Sequence, residues 1–186
     1  CDSRQVYEGL DLGTGKMPGT ESSFKKYKGY WQVNGVNIWM YDVADPKRQY
    51  TVYDYVRDAN RVVDDILKRG KLPIIVGGSG LYLKALLEGL PNLIIPRDLK
   101  LRKELGELSL QELQQRLQKL SPKKWEAMNQ SDRQNPRRFI RAVEIALTDF
   151  ASEESLRAAV QGVYNALKIG LTAPRNILYK RIDERV

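Results

Sequence analysis

Between residues 51 and 70 the chain reads as an amphipathic helix. Val52, Tyr55, Val56, Ala59, Val62, Val63, Ile66 and Leu67 recur at the 3.6-residue period, while Arg57, Asp58, Arg61, Asp64, Asp65 and Lys68 take the other face. Thr51 with Asp54 is a capping-box pattern that opens this helix, and Gly70 closes it. Leu72-Pro73-Ile74-Ile75-Val76 is a short apolar run of the kind found in strands buried on both faces. Gly77-Gly78-Ser79-Gly80 follows at once and leads into a second helical stretch through Leu87. Helix, buried strand, glycine turn and helix is the order of a parallel α/β sheet, which gathers its ligands at the carboxyl ends of the strands.

The flanks are read the same way. Residues 1–30, rich in Gly, Lys and Ser, are expected to be loop with one short helical turn at most. Residues 36–42 predict a short strand, which Asp45-Pro46 stops. From Pro96 to about Asn135 only helices are expected, with a second capping box at Ser109 and Glu112 and with Leu110, Leu113, Leu117 and Leu120 on one face. Asn135-Pro136 supplies an N-cap and a first-turn proline for the next helix. Residues 166–171 read as another strand, and Pro174 starts a last helix that runs to Val186.

Composition narrows the classes. The 186 residues suit one domain, or one domain with a small insertion. No apolar run approaches the roughly 20 residues needed to span a bilayer, so no membrane role is expected. A single cysteine forbids an internal disulfide and points to a reducing, cytoplasmic setting. The absence of histidine excludes Ser-His-Asp and Cys-His machinery and leaves zinc without a ligand set. Acid or base chemistry then falls to Asp, Glu, Lys or Tyr. With 31 basic against 23 acidic residues the net charge is +8, compatible with a polyanionic partner or a phosphorylated substrate. The start, Cys1-Asp2-Ser3, has neither an initiator Met nor a signal peptide, and the chain is expected to be the interior of a longer protein.

Several motifs could carry chemistry. Gly13-Thr14-Gly15-Lys16 resembles the end of a phosphate loop, but Leu10 stands where its first glycine belongs and Met17 where its Ser or Thr belongs. A tight turn near the substrate is the better reading. Gly77-Gly78-Ser79-Gly80 could hold an anion on free amides or could serve the turn alone. Arg137, Arg138 and Arg141 at a helix start form either a solvated basic face or a contact for a phosphate backbone.

Together these blocks resemble the tRNA dimethylallyltransferases. The blocks are Asp2-Ser3-Arg4-Gln5-Val6-Tyr7, residues 9–16, Asp42-Val43-Ala44-Asp45-Pro46, residues 73–82, and Asn135-Pro136-Arg137-Arg138 with Arg141-Ala142-Val143-Glu144. The resemblance implies a P-loop NTPase-like parallel sheet core, residues 1–95 plus 136–186, with an all-helical tRNA-binding insertion at 96–135. It implies transfer of a dimethylallyl group from dimethylallyl diphosphate to N6 of adenosine 37 in the anticodon stem-loop of tRNAs reading codons that start with U. Magnesium (Mg2+) and release of diphosphate are implied with it, as is a monomeric full-length enzyme. Asp2 matches the family's acidic residue at N6, the general base. Asp2, Ser3, Arg4 and Gln5 match one tRNA-contacting stretch, and Arg137, Arg138, Phe139, Ile140 and Arg141 match a second. Gly13, Thr14, Lys16, Gly78 and Gly80 are expected near the substrate.

Two features depart from the family pattern: Ile38-Trp39 replaces a usual His-His pair, and Ser79 replaces a Thr. The family's phosphate loop would precede Cys1 and its Arg-rich segment would follow Val186, so residues 1–186 alone are expected to be inactive. Two other readings remain beside this one. An adenylate isopentenyltransferase would not need the nine basic residues within 96–135. A nonenzymatic RNA-binding module would lack the phosphate loop altogether.

Overall fold

Two tight turns organise the only sheet among the described residues, which are 1–90, 92–93, 95–148 and 164–184 of a computed structural model. Strands β1 (Phe24–Tyr27), β2 (Tyr30–Val33) and β3 (Val36–Trp39) form an antiparallel meander in the order β1-β2-β3. Asn34 and Gly35, at φ 49° and 82°, make the β2–β3 turn, since both central positions of such a hairpin must adopt positive φ. Residues 24–27 and Tyr30 are therefore strand within the 1–30 stretch where loop was expected. Cross-strand pairs such as Tyr27–Tyr30 and Lys26–Trp31 outweigh the lysine-rich composition. Strand β3 ends at Trp39, short of the expected Asp42, because Met40 and Asp42 turn to positive φ.

Helix α1 (Val52–Lys68) forms as its periodicity predicts, and both halves of the Thr51–Asp54 capping box are present. Its end is closed by Gly70 at φ 68°, with Gly70 N–H donating to Leu67 and Lys71 N–H to Ile66, a pairing that only a left-handed residue permits. Tyr55, Val56, Ala59 and Val63 form its buried face, and Tyr55 stacks on Tyr82 of helix α2 (Gly80–Glu88) at 4.2 Å.

The two expected parallel strands do not form a ladder. Leu72, Ile74, Val76, Leu167, Ile169 and Leu171 are between 75% and 93% exposed, and neither segment pairs as a strand. A buried strand draws its hydrogen bonds and its burial from flanking strands, and none flanks these segments among the described residues. Parallel pairing is confined there to the isolated bridge between Tyr7 and Ala44. The architecture is thus α/β with a small antiparallel sheet.

The chain divides into one unit of Cys1–Gly89 with Gln161–Val186 and a second of Leu90–Val160. The second contains α3 (Leu99–Gly106), α4 (Leu110–Leu120), α5 (Pro122–Ala127), a 3-10 turn (Asp132–Gln134) and α6 (Pro136–Leu147). Leu105, Leu113, Leu117, Met128, Phe139, Ala142 and Val143 form its core. Helix α6 contributes three of those core residues, Phe139, Ala142 and Val143. Helix α7 (Arg175–Asp183) belongs to the first unit and follows Pro174 as expected. No helix among the described residues is long and apolar enough to cross a membrane.

Candidate active site

Asp2 sits in a turn that its own side chain builds. Its Oδ1 accepts the amide N–H of Arg4 at 2.7 Å and of Gln5 at 3.1 Å, the local bonding through which short acidic side chains fix a turn. Its Oδ2 has no hydrogen bond among the described residues, so one oxygen is held and the other remains an acceptor.

This turn lies along the glycine loop. Ser3 N–H donates to Ser79 Oγ at 2.9 Å, and Ser79 N–H points to Cys1 O at 3.4 Å. A Cβ on Gly77 would stand 2.0 Å from Cys1 O, so only glycine lets the two segments approach. Gly78 and Gly80 border open space, which makes Gly77 the required glycine of the three. Because the Ser79 hydroxyl serves Ser3, the first turn of α2 has no side-chain cap. Its amide ends then favour negative charge. Tyr82 adds an aromatic ring one turn along: burial, with Tyr7, Asp54 and Asp2 near it, pushes its hydroxyl above the ordinary value.

Gln5 joins the third segment. Its Nε2 donates to Thr14 O at 3.0 Å, and Thr14 Oγ1 donates to Leu10 O at 2.8 Å. Gly13 and Gly15, at φ 70° and 69°, make 13–16 the tight turn that was expected. Lys16, expected near the substrate, instead points inward. Its side chain is fully buried, with Nζ donating to Tyr7 O at 2.7 Å, Asp11 Oδ1 at 2.9 Å and Asp42 Oδ1 at 2.6 Å. Three acceptors saturate an ammonium, so no donor remains for a phosphate. Asp42 Oδ2 also accepts Trp31 Nε1 at 2.5 Å. Asp42 and Gly77 are the residues that sequence reasoning undervalued. The Lys-to-Asp spacing of 26 carries no local signal, whereas Gly77 directly after an apolar run did.

The second tRNA-contacting stretch lies in the helical unit, where its members have different tasks. Asn135 caps α6 by accepting Arg137 N–H at 3.1 Å. Arg137 is exposed, and Arg138 is exposed and paired with Asp132. Phe139 is fully buried and stacks on Trp125, so it presents no surface to RNA, and the half-buried Ile140 packs against the same core. Arg141 pairs with Glu144 and donates to Asn92 O at 2.7 Å and Ile95 O at 3.1 Å. Glu144, itself buried, also takes Arg102 Nη2 at 2.7 Å and the Asp98 amide at 2.7 Å. Burial alone would raise the Glu144 carboxyl, but the Arg102 and Arg141 guanidinium groups and the Asp98 amide outweigh it and bring the group to about 2. Lys100, Lys103, Arg116, Lys119 and Lys123 remain exposed on this unit.

Magnesium finds no group of three His, Cys, Asp or Glu side chains suited to a metal ion among the described residues.

Residues 5–186 match the IPP transferase family. The tRNA dimethylallyltransferase of Endomicrobium trichonymphae is 36% identical over all of this chain, which covers 58% of that relative. The enzyme of the same name from Thermomicrobium roseum is 38% identical, with 54% of its length covered. Among solved structures, the full-length tRNA isopentenylpyrophosphate transferase of Bacillus halodurans aligns over 99% of this chain and 54% of its own, with a TM-score of 0.53 and 34% identity. The chain thus spans a little over half the length of the curated relatives it matches.

Proposed function

This chain belongs to the IPP transferase family, and from that premise we propose that the full-length protein transfers a dimethylallyl group from dimethylallyl diphosphate to N6 of adenosine 37 in tRNA. The amine nitrogen attacks the allylic carbon, the carbon–oxygen bond breaks with its electron pair leaving on diphosphate, and the amine proton passes to Asp2. The observation that carries this reading is the Asp2 carboxylate, held by two amides through Oδ1 while Oδ2 is open. A positioned acceptor of this kind is what a weakly nucleophilic exocyclic amine requires. The uncapped first turn of α2 beside it is suited to the diphosphate.

The exposed basic residues of the helical unit, with Arg137 and Arg138, support a tRNA surface there. Segments 72–76 and 166–171 are assigned to a P-loop NTPase-like parallel core, their apolar side chains covered by neighbours in the full-length protein. Magnesium travels with the diphosphate, a common arrangement for a cation that keeps most of its ligands from phosphate and water. The relatives' names specify tRNA, which favours a polynucleotide acceptor over the free nucleotide of an adenylate isopentenyltransferase.

The test is Asp2→Ala in the full-length protein. Turnover on an anticodon stem-loop should fall by about 100-fold or more while its Kd changes little. Undiminished turnover overturns the base assignment, and a collapse in affinity makes Asp2 a positioning residue. Prenylation of AMP in preference to the stem-loop would favour the free-nucleotide reading.

A further inference from the structure

The three-stranded sheet has two unlike faces. On one, the fully buried Trp31 carries Phe24 stacked at 5.5 Å and Lys26 above its ring at 4.3 Å. On the other, one aromatic residue from each strand lines up across the register: Tyr27 opposite Tyr30, and Tyr30 opposite Trp39. Their rings form a column, with centroids 4.8 Å apart at 9° for Tyr27–Tyr30 and 4.6 Å apart at 32° for Tyr30–Trp39. The Arg69 guanidinium covers the Trp39 end at 5.8 Å.

The Tyr27 end is open. β1 is an edge strand, Tyr27 is 41% exposed, and its outer ring face points away from the column. The adjoining row on the same face is Lys25, Gln32 and Asn37, and Lys28 stands in the turn beside Tyr27. Residues 24–39 contain three lysines and no acidic residue.

We propose that the outer face of Tyr27 stacks an unpaired RNA base, extending the column by one ring, with Lys25 and Lys28 on the flanking phosphates. The spacing of the column matches the stacking of planar rings, and base–aromatic stacking beside basic side chains is the general means of holding single-stranded nucleic acid. The charge complementarity favours a polyanion over a peptide. This proposal rests on the tRNA reading and assigns a place for a loop nucleotide other than the reacting adenosine.

The experiment measures the Kd of the full-length protein for an anticodon stem-loop RNA and for a blunt RNA duplex of equal length. Tyr27→Ala and Tyr27→Leu should each weaken stem-loop binding about tenfold, and Tyr27→Phe should bind as the wild type does. Duplex binding and the slope of log Kd against log salt should stay unchanged, because the phosphate contacts remain. Leucine preserves the apolar bulk on the edge strand, so it guards against a simple folding defect in the alanine variant. Wild-type affinity in both Tyr27→Ala and Tyr27→Leu would overturn the proposal and leave the tRNA reading standing. An equal loss on the duplex would also overturn it. No binding of the stem-loop by the wild type removes the tRNA reading and this proposal together.

Discussion

Lys16 shows how a charge that looks functional in sequence can be structural in space. Burial alone would lower the Lys16 ammonium, but Asp42 and Asp11 outweigh it and raise the group above its ordinary 10.5. A raised folded value means the contribution is complete below 10.5 and is lost as pH climbs past the folded value. Lys16→Met should cost about 3 kcal/mol in urea unfolding, since it leaves Asp42 with only Trp31. Glu144 runs the other way. Its folded value of about 2 against an ordinary 4.5 means full stabilisation above 4.5 that disappears as pH falls toward 2. That difference corresponds to about 3 kcal/mol. Glu144→Gln should lower the urea midpoint at pH 7 and flatten this acid limb, both readable from unfolding curves at stepped pH. The sequence made Arg141 legible only as one of three basic residues. Its partners at Asn92 and Ile95 are nearly 50 positions away, and no local pattern announces them.

Among the elements, legibility followed the range of the forces. The capping boxes at Thr51 and Ser109, the Asn135-Pro136 start and the Gly70 stop are all local, and each appears where the residues predicted it. The Asn34-Gly35 turn was equally local, and reading it as a hairpin signal would have recovered β2 and β3. Segments 72–76 and 166–171 differ in kind, because an apolar run reports a tendency to be buried while a ladder depends on partners elsewhere. The candidate site depends on one such long-range approach, that of Cys1 to Gly77. Gly77→Ala should push the Cys1–Ser3 segment off the loop, since the added Cβ meets backbone at 2.0 Å. Amide hydrogen exchange at Ser3 and Ser79 should speed up markedly, while the amides of α1 keep their protection. Unchanged exchange at Ser3 would show that the loop yields instead.

At the scale of the whole molecule the +8 charge separates into surface and interior shares. Arg141 and Lys16 are committed to internal carboxylates and carbonyls, whereas Arg137 and the exposed lysines of the helical unit are available to a polyanion. A contact with phosphate releases counterions, so it is counted by the salt dependence of binding and not by stability. Arg137→Ala should therefore reduce the slope of log Kd against log salt for tRNA by about 1 and leave thermal unfolding unchanged. Arg141→Ala should do the reverse: it leaves the Asn92 and Ile95 carbonyls without their donor and Glu144 with one guanidinium fewer, so the helical unit should melt earlier. Measured side by side on the full-length protein, the two variants separate the alternatives that the sequence left open for this cluster. If Arg141→Ala lowers the salt slope without lowering the melting temperature, Arg141 leaves Glu144 to reach the nucleic acid, and the division between surface and interior charge fails at that residue.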